Sequence, residues 1–245
     1  MNIIKLDTCS STNSFLKALS EQQPLEEAAC VLAREQTAGR GQAGNHWESE
    51  AGKNLTFSLL FYPNFLPVKE IFLLSEAVSL GVKTVLDHFV DDVTIKWPND
   101  IYVGERKIAG ILIENDFTGE YVSRSIAGIG LNVNQAVFRS DAPNPVSLIQ
   151  LTGRETNLDQ LLLQLLDSIF KTCSLLKLQN LNKDFIEQQY NQALYRREGR
   201  HLYRDQAGLF HARIELVDSS GYLHLIDDSG LRRSYPFKAV SFVRS

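Results

Sequence analysis

The sequence predicts an α+β fold with a small C-terminal β-barrel, and three observations lead there. Apolar residues recur at helical spacing in residues 71–89 and 157–178. Between these segments, residues 93–133 read as four strands joined by turns too short to hold a helical crossover. From about Arg196 onward the pattern changes to five short strands, at 201–204, 210–217, 222–226, 232–235 and 239–243, with tight turns at Ser220-Gly221 and Ser229-Gly230. The division this implies is residues 1–194 and 195–245. A chain of 245 residues, 44% of them hydrophobic, is long enough to bury a sizeable core.

In chain order, residues 2–6 read as a short strand, and Ser10, Ser11 and Thr12 offer N-cap hydroxyls to a helix carrying Phe15, Leu16 and Leu19 on one side. Residues 28–33 form an apolar strand. The stretch 35–54 is glycine-rich and polar without an apolar stripe, and is expected to be a mobile loop. Residues 55–62 read as a strand. Pro63 and Pro67 separate it from a long helix whose inward face includes Ile71, Leu74, Val78, Val82, Val85 and Phe89. Strands at 93–96, 101–103, 107–114 and 121–133, turning at Pro98-Asn99, Gly104-Glu105 and Thr118-Gly119, should be antiparallel neighbours. Helices at 157–178 and 182–193 are expected to cover one face of the sheet.

Bulk chemistry narrows the function classes. Lys+Arg 25 against Asp+Glu 29 gives a net charge of -4, which supplies no global attraction for DNA but leaves local basic sites open. Cys9, Cys30 and Cys173 are far apart and read as buried free thiols. His46, His88, His201, His211 and His224 have no partner at metal-ligand spacing and receive no catalytic role. The opening MNIIKLDTCSSTN has no basic stretch followed by an apolar run, so the expected location is the cytoplasm, with no membrane anchor.

Three constellations carry chemistry. Residues 39–44 match G-x-G-x-x-G, but residues 45–54 have no amphipathic pattern and lead into a strand, which rejects a dinucleotide-binding helix. Taken alone the segment reads as a surface turn; with Arg40 it is also suited to wrapping an anion. The second constellation is Lys96-Trp97-Pro98-Asn99-Asp100, followed by Arg106-Lys107-Ile108-Ala109-Gly110-Ile111-Leu112. Strand alternation would put Lys107 and Ala109 on one face, with Gly110 leaving space for a ligand. By themselves Lys96 and Lys107 read as solvated strand charges, and Trp97 as core. The third, residues 128–134 (GIGLNVN), sets two glycines where backbone can lie against a flat ring. A twisted strand ending in a turn is the alternative.

In this order, Ser11-Thr12-Asn13, the 39–47 loop, KWPND at 96–100, RKIAGIL at 106–112, residues 128–132 and the C-terminal β segment resemble the biotin protein ligase family over nearly the whole chain. The resemblance implies a mixed sheet with helices packed on it, related to the class II aminoacyl-tRNA synthetase core, plus an SH3-like barrel. It implies that Ser11, Thr12, Asn13 and Gln36 meet biotin, and that Gly39, Arg40, Gly41, Gln42, Lys107 and Gly110 surround its carboxylate and the α-phosphate. Trp47, Lys96, Asn99 and Asn132, together with Arg40 and Lys107, would serve ATP, with phosphate-bound Mg²⁺. The implied reaction forms biotinyl-5'-AMP and pyrophosphate, then biotinylates a lysine of a biotin carboxyl carrier protein or domain. Asp100 would orient or deprotonate that amine, or merely cap its turn.

Three other readings belong beside this one. A lipoate or octanoate ligase shares the implied fold, but its arginine-led glycine triplet is not found here. A biotin-responsive DNA-binding repressor would need an N-terminal winged helix, for which Ser11-Thr12-Asn13 leaves no room, so specific DNA binding is not expected. A non-catalytic biotin-binding protein would have little use for Arg40 and Lys107 together. Monomer and homodimer remain equally open. One departure from a frequent family pattern is Gln42, where a second arginine often stands. Gln42→Arg should slow escape of biotinyl-AMP by up to about tenfold, ~1.4 kcal/mol, because a new cation would face the phosphate. Dissociation rates at two salt concentrations check this; an unchanged or faster rate at low salt rejects it.

Overall fold

The structure, a computed structural model, describes residues 2–25, 29–41, 46–140, 143–177 and 180–243. Strand β1 (Ile3–Cys9), helix α1 (Thr12–Gln22) and strand β2 (Cys30–Gln36) form a crossover unit in which the strands run parallel, from Ile3 opposite Cys30 to Cys9 opposite Gln36. A helix between two strands provides the length that a parallel return needs. The expected loop therefore begins later than residue 35, because Glu35 and Gln36 are held by β1. Thr37 and Ala38 continue the ladder by donating to Cys9 and Ser10 carbonyls, both at 2.9 Å. Ser11 occupies the N-cap of α1 without a side-chain capping bond, and Phe15 is exposed while Thr12, Asn13 and Leu16 are buried. The buried face of α1 is thus largely polar, contrary to the apolar stripe expected.

Strand β3 (Leu55–Phe61) pairs antiparallel with β2 and is buried along its whole length. After helix α2 (Phe72–Leu86) come β4 (Val93–Lys96), β5 (Asp100–Val103), β6 (Arg106–Thr118) and β7 (Tyr121–Leu131), the antiparallel meander predicted. The seven-stranded sheet has the order β1-β2-β3-β7-β6-β5-β4 and is mixed through its β1/β2 pair.

The two sheet faces differ in chemistry. Leu55, Phe57, Leu59 and Phe61 of β3 and Ala127, Ile129 and Leu131 of β7 enter the main apolar core with Leu74, Val78 and Val82 of α2. Leu60 and Ile126 point the other way, into a small cluster with Leu16 of α1. A short helix α3 (Leu148–Thr152) was not foreseen; a Ser147/Gln150 capping box starts it and Gly153 in the left-handed conformation ends it. Helix α4 (Leu158–Leu175) starts at the capping side chain of Asn157, and α5 (Asn180–Gln192) follows. Rather than covering the sheet directly, α4 rests on α2. A Cβ at Gly81 would lie 2.7 Å from the Ile169 Cα, and Ser168 donates to the Gly81 carbonyl at 2.9 Å.

The C-terminal strands β8 (His201–Asp205), β9 (Gly208–Val217), β10 (Leu223–Asp227), β11 (Arg232–Tyr235) and β12 (Ser241–Phe242) are all antiparallel, in the order β11-β10-β9-β8-β12. Among the described residues this ladder ends at β11 on one side and at the two-residue β12 on the other, with no β11/β12 pairing to close it into the barrel expected. Its apolar side chains, including Tyr203, Ile214, Val217 and Leu225, join the same core cluster as the larger sheet. No helix of the described residues is long and apolar enough to cross a membrane.

One core residue breaks the pattern. Glu76 of α2 is 0% exposed, and neither carboxylate oxygen has a hydrogen-bond partner among the described residues. Burial, with Glu187 and Asp218 nearby, pushes its pKa well above the ordinary carboxylate value. A folded-state pKa raised above the unfolded one gives stability that is present at acid pH and lost as pH rises above the unfolded value, since the native state then binds the extra proton. Glu76→Leu should therefore raise stability by ~1–3 kcal/mol at pH 8 and by less at pH 5. Urea denaturation at both pH values checks this, and equal gains would reject it.

Candidate active site

On the α1 side of the sheet lies a cavity of ≈ 480 Å³. Its floor is Gly110 and Leu112 of β6 beside Gly130 and Gly128 of β7, which face each other as cross-strand pairs. Absence of side chains here is a steric requirement. A Cβ at Gly128 would lie 2.9 Å from Asn13 Cγ, and one at Gly130 would lie 2.6 Å from Trp47 Nε1. The flat ring that lies on the glycine strand is therefore Trp47, a side chain of the loop itself. Its indole nitrogen is buried without a partner among the described residues.

One end of the cavity is a network of hydroxyls and amides. Thr12 donates to Gln36 Oε1 from its backbone nitrogen (2.8 Å) and its hydroxyl (3.1 Å). The Ser58 hydroxyl, on the site face of β3, sits 2.7 Å from Thr12 Oγ1 and 2.6 Å from Asn13 Oδ1. Asn13 Nδ2 donates to the Leu112 carbonyl (3.2 Å) and to Glu114 Oε2 (2.8 Å). These groups are brought together because β2, β3, β6 and the first turn of α1 meet over one sheet face. Ser11 is buried on the same wall.

The other end is cationic. Among the described residues Arg40, Lys96, Lys107 and Lys238 line the cavity against one carboxylate, that of Asp100. Lys107 was expected to share a face with Ala109. Instead a register shift sets Ile101 opposite Ala109 but Tyr102 opposite Lys107, so Ile108 and Ala109 both enter the core. The irregularity frees Lys107 to lean over Gly110, where its Nζ meets Asp100 Oδ1 at 2.6 Å and lies 5.6 Å from the Trp47 ring centre. Asp100 is the first residue of β5, opposite Lys96, and its side chain engages Lys107. The Lys96 ammonium donates to the Tyr102 hydroxyl at 3.1 Å and sits 5.5 Å from the Phe242 ring centre.

The 97–99 turn is held from three sides. Trp97 Nε1 donates to the Gly221 carbonyl at 3.0 Å, Tyr190 of α5 donates to the Pro98 carbonyl at 3.1 Å, and the Asn99 amide donates to the Ile111 carbonyl.

Of the residues singled out by sequence, Ser11, Thr12, Asn13, Gln36, Arg40, Gly41, Trp47, Lys96, Asn99, Asp100, Lys107 and Gly110 share this cavity wall. Gly39 stands outside it, its carbonyl accepting from Trp47 N at 3.0 Å. Asn132 is also outside, its Nδ2 donating to the Val146 carbonyl at 3.0 Å and its Oδ1 buried without a partner among the described residues. Gln42 lies outside the described residues. Sequence reasoning missed Ser58, Gly128 as Asn13's seat, Glu114, and the wall from Phe237 to Phe242. Ser58 carried a signal, as a small polar residue in an otherwise apolar strand. The C-terminal wall carried none, since only folding brings it back to Lys96 from 141 to 146 residues away. Among the described residues no group of three or more His, Cys, Asp or Glu is arranged to hold a metal ion.

The cavity joins a directional hydrogen-bonding end to an anion-binding end, a division suited to a ligand with a polar head and a reacting carboxylate or phosphate. Known proteins share the framework. The chain resembles the bifunctional ligase/repressor BirA of Bacillus spizizenii, 35% identical over 138 residues, 55% of this chain and 41% of that protein. It is 32% identical over 158 residues to a biotin–[acetyl-CoA-carboxylase] ligase of Paracoccus denitrificans, covering 62% of this chain and 65% of that one. The chain thus spans about four-tenths of the first curated relatives it matches. Its fold is that of a biotin protein ligase from Aquifex aeolicus in complex with biotin and ATP, at a TM-score of 0.80 and 24% identity, covering 100% of this chain and 99% of that one. Residues 6–132, just over half of the 245 and including nearly every wall residue outside the C-terminal strands, match the biotin/lipoate A/B protein ligase family, and the chain belongs to that family.

Proposed function

We propose that the chain is an ATP-dependent biotin protein ligase that forms biotinyl-5'-AMP and transfers biotin to a lysine of a biotin carboxyl carrier protein or domain. The observation that carries this reading is the single cavity joining the Thr12/Gln36/Asn13/Ser58 network to the Arg40/Lys107 cations across a glycine floor. A ureido ring offers both donors and acceptors, which the network matches from one side. A carboxylate beyond it would reach the cationic end.

The biotin carboxylate attacks the α-phosphorus of ATP and pyrophosphate leaves; a neutral lysine amine then attacks the mixed anhydride and AMP leaves. Neither step needs a protein nucleophile. Arg40 and Lys107 supply fixed positive charge where phosphate oxygens gain charge, with Lys107 exchanging its Asp100 contact for substrate. Lys96, Asn99 and Trp47 would attend the nucleotide, with Asn132 behind them. Mg²⁺ dehydrates reluctantly and is commonly carried by phosphates with one or two protein carboxylates, a donor set that Asp100 fits. When bound, it would neutralise triphosphate charge. Asp100, on the cavity wall, would orient or deprotonate the incoming amine, or else serve only its turn.

We read residues 1–194 as the catalytic part and 195–245 as an SH3-like domain. Supporting this, Phe210 of β9 and Phe242 of β12 each pack on Tyr203 of β8, and Tyr235 of β11 stacks on Phe210. We place the enzyme in the cytoplasm, and the net charge of -4 supports the absence of specific DNA binding.

The decisive experiment offers biotin, lipoate or octanoate with Mg·ATP and identifies the adenylate by mass. Biotinyl-AMP with pyrophosphate is expected. A lipoyl or octanoyl adenylate would reassign the acyl substrate, and biotin binding without any adenylate would leave a non-catalytic biotin-binding protein. Lys107→Ala should lower single-turnover adenylation by ~2 kcal/mol or more, about thirtyfold, because it removes a charge aimed at developing negative oxygens. An unchanged single-turnover rate would remove Lys107 from this role.

A further inference from the structure

Arg40 does not present an unengaged charge to the cavity. Its NH2 group donates to Glu114 Oε2 at 3.0 Å and to Ser14 Oγ at 3.1 Å. The same Glu114 oxygen accepts from Asn13 Nδ2 at 2.8 Å. Asn13 is itself held by the Leu112 carbonyl, by Ser58 and by its seat on Gly128. One unbroken chain of polar contacts therefore runs from Gln36 through Thr12, Ser58, Asn13 and Glu114 to Arg40. Glu114 continues the site face of β6, two residues beyond Leu112, so the core-facing register of β6 fixes where its carboxylate starts.

We propose that Glu114 is a positioning residue that holds the Arg40 guanidinium at the cavity rim when no anion is bound and yields it when the substrate anion arrives. The identity of that anion, a biotin carboxylate or α-phosphate, rests on the biotin ligase reading. The pair is suited to exchange. Its side chains are 45% and 36% exposed, so solvent screens the attraction, and a phosphate offering several charged oxygens competes well for a guanidinium fork. Asn13, fixed on three sides, keeps the carboxylate in place after Arg40 has left. The ion pair is thus a competitor of the bound anion, and removing its charge should favour the anion.

Glu114→Gln keeps an acceptor for Asn13 while removing the charge. In the ligand-free protein, an arginine-directed dicarbonyl reagent should modify Arg40 about threefold faster in Glu114→Gln, read by peptide mass spectrometry, because the lost pair is a partly exposed one. Arg124, which pairs with Asp116 and Glu21, serves as the internal reference. In the second measurement, biotinyl-AMP added as the preformed adenylate should escape about threefold more slowly from Glu114→Gln, and the difference should vanish in an Arg40→Ala background. Unchanged Arg40 reactivity overturns the holding role. An equal or faster escape, or a slowing that persists without Arg40, overturns the exchange and reduces Glu114 to plain repulsion. Failure of the unaltered protein to make biotinyl-AMP would overturn the ligase reading, while Arg40 reactivity would still decide whether Glu114 holds it.

Discussion

Strand alternation in β3, β6 and β7 is the constraint from which the site follows. Leu55, Phe57, Leu59 and Phe61 must all face α2 and its neighbours, and this apolar set locks the register of the central strand. Once it is locked, Thr56, Ser58 and Leu60 have nowhere to go but the opposite face. The same holds for Gly110 and Leu112 opposite Gly130 and Gly128. A slip of one residue would turn Ser58 into the core and Phe57 into the cavity. The hydrophobic face thus pays for the precision of the polar one, and a ligand-sized hollow exists because small residues alternate with large ones.

Two local departures from regularity then aim the charges. The β5/β6 irregularity lets Ile108 and Ala109 both reach the core and turns Lys107 over Gly110 towards Asp100. The 97–99 turn is fixed by α5 through Tyr190 and by the C-terminal sheet through the Gly221 carbonyl. The wall bearing Lys96 therefore depends on parts of the chain far away in sequence. Local charge also outweighs the total. A protein of net charge -4 carries a cavity lined, among the described residues, by four cations and one carboxylate, and at physiological ionic strength charges beyond about 8 Å are largely screened from it.

Much was legible from sequence alone. Periodicity over residues 71–89 and 157–178 located α2 and α4, turn residues located the β4 to β7 meander, and the change near Arg196 located the C-terminal strands. The residue types of the cavity wall were legible too, since glycine in a strand, lysine beside a tryptophan-proline turn and hydroxyls at a helix start are local features. What only the tertiary structure decided is how these features meet. Parallel pairing of β1 with β2 kept Glu35 and Gln36 out of the expected loop. The register irregularity separated Lys107 from Ala109, and Trp47 rather than a ligand lies on Gly130. The contact of Glu114 with Arg40 spans 74 residues, and the wall from Phe237 to Phe242 reaches Lys96 only through packing. Local preferences follow from each residue and its neighbours. Contacts at long separation follow from burying apolar surface across the whole chain, which no short window of sequence contains.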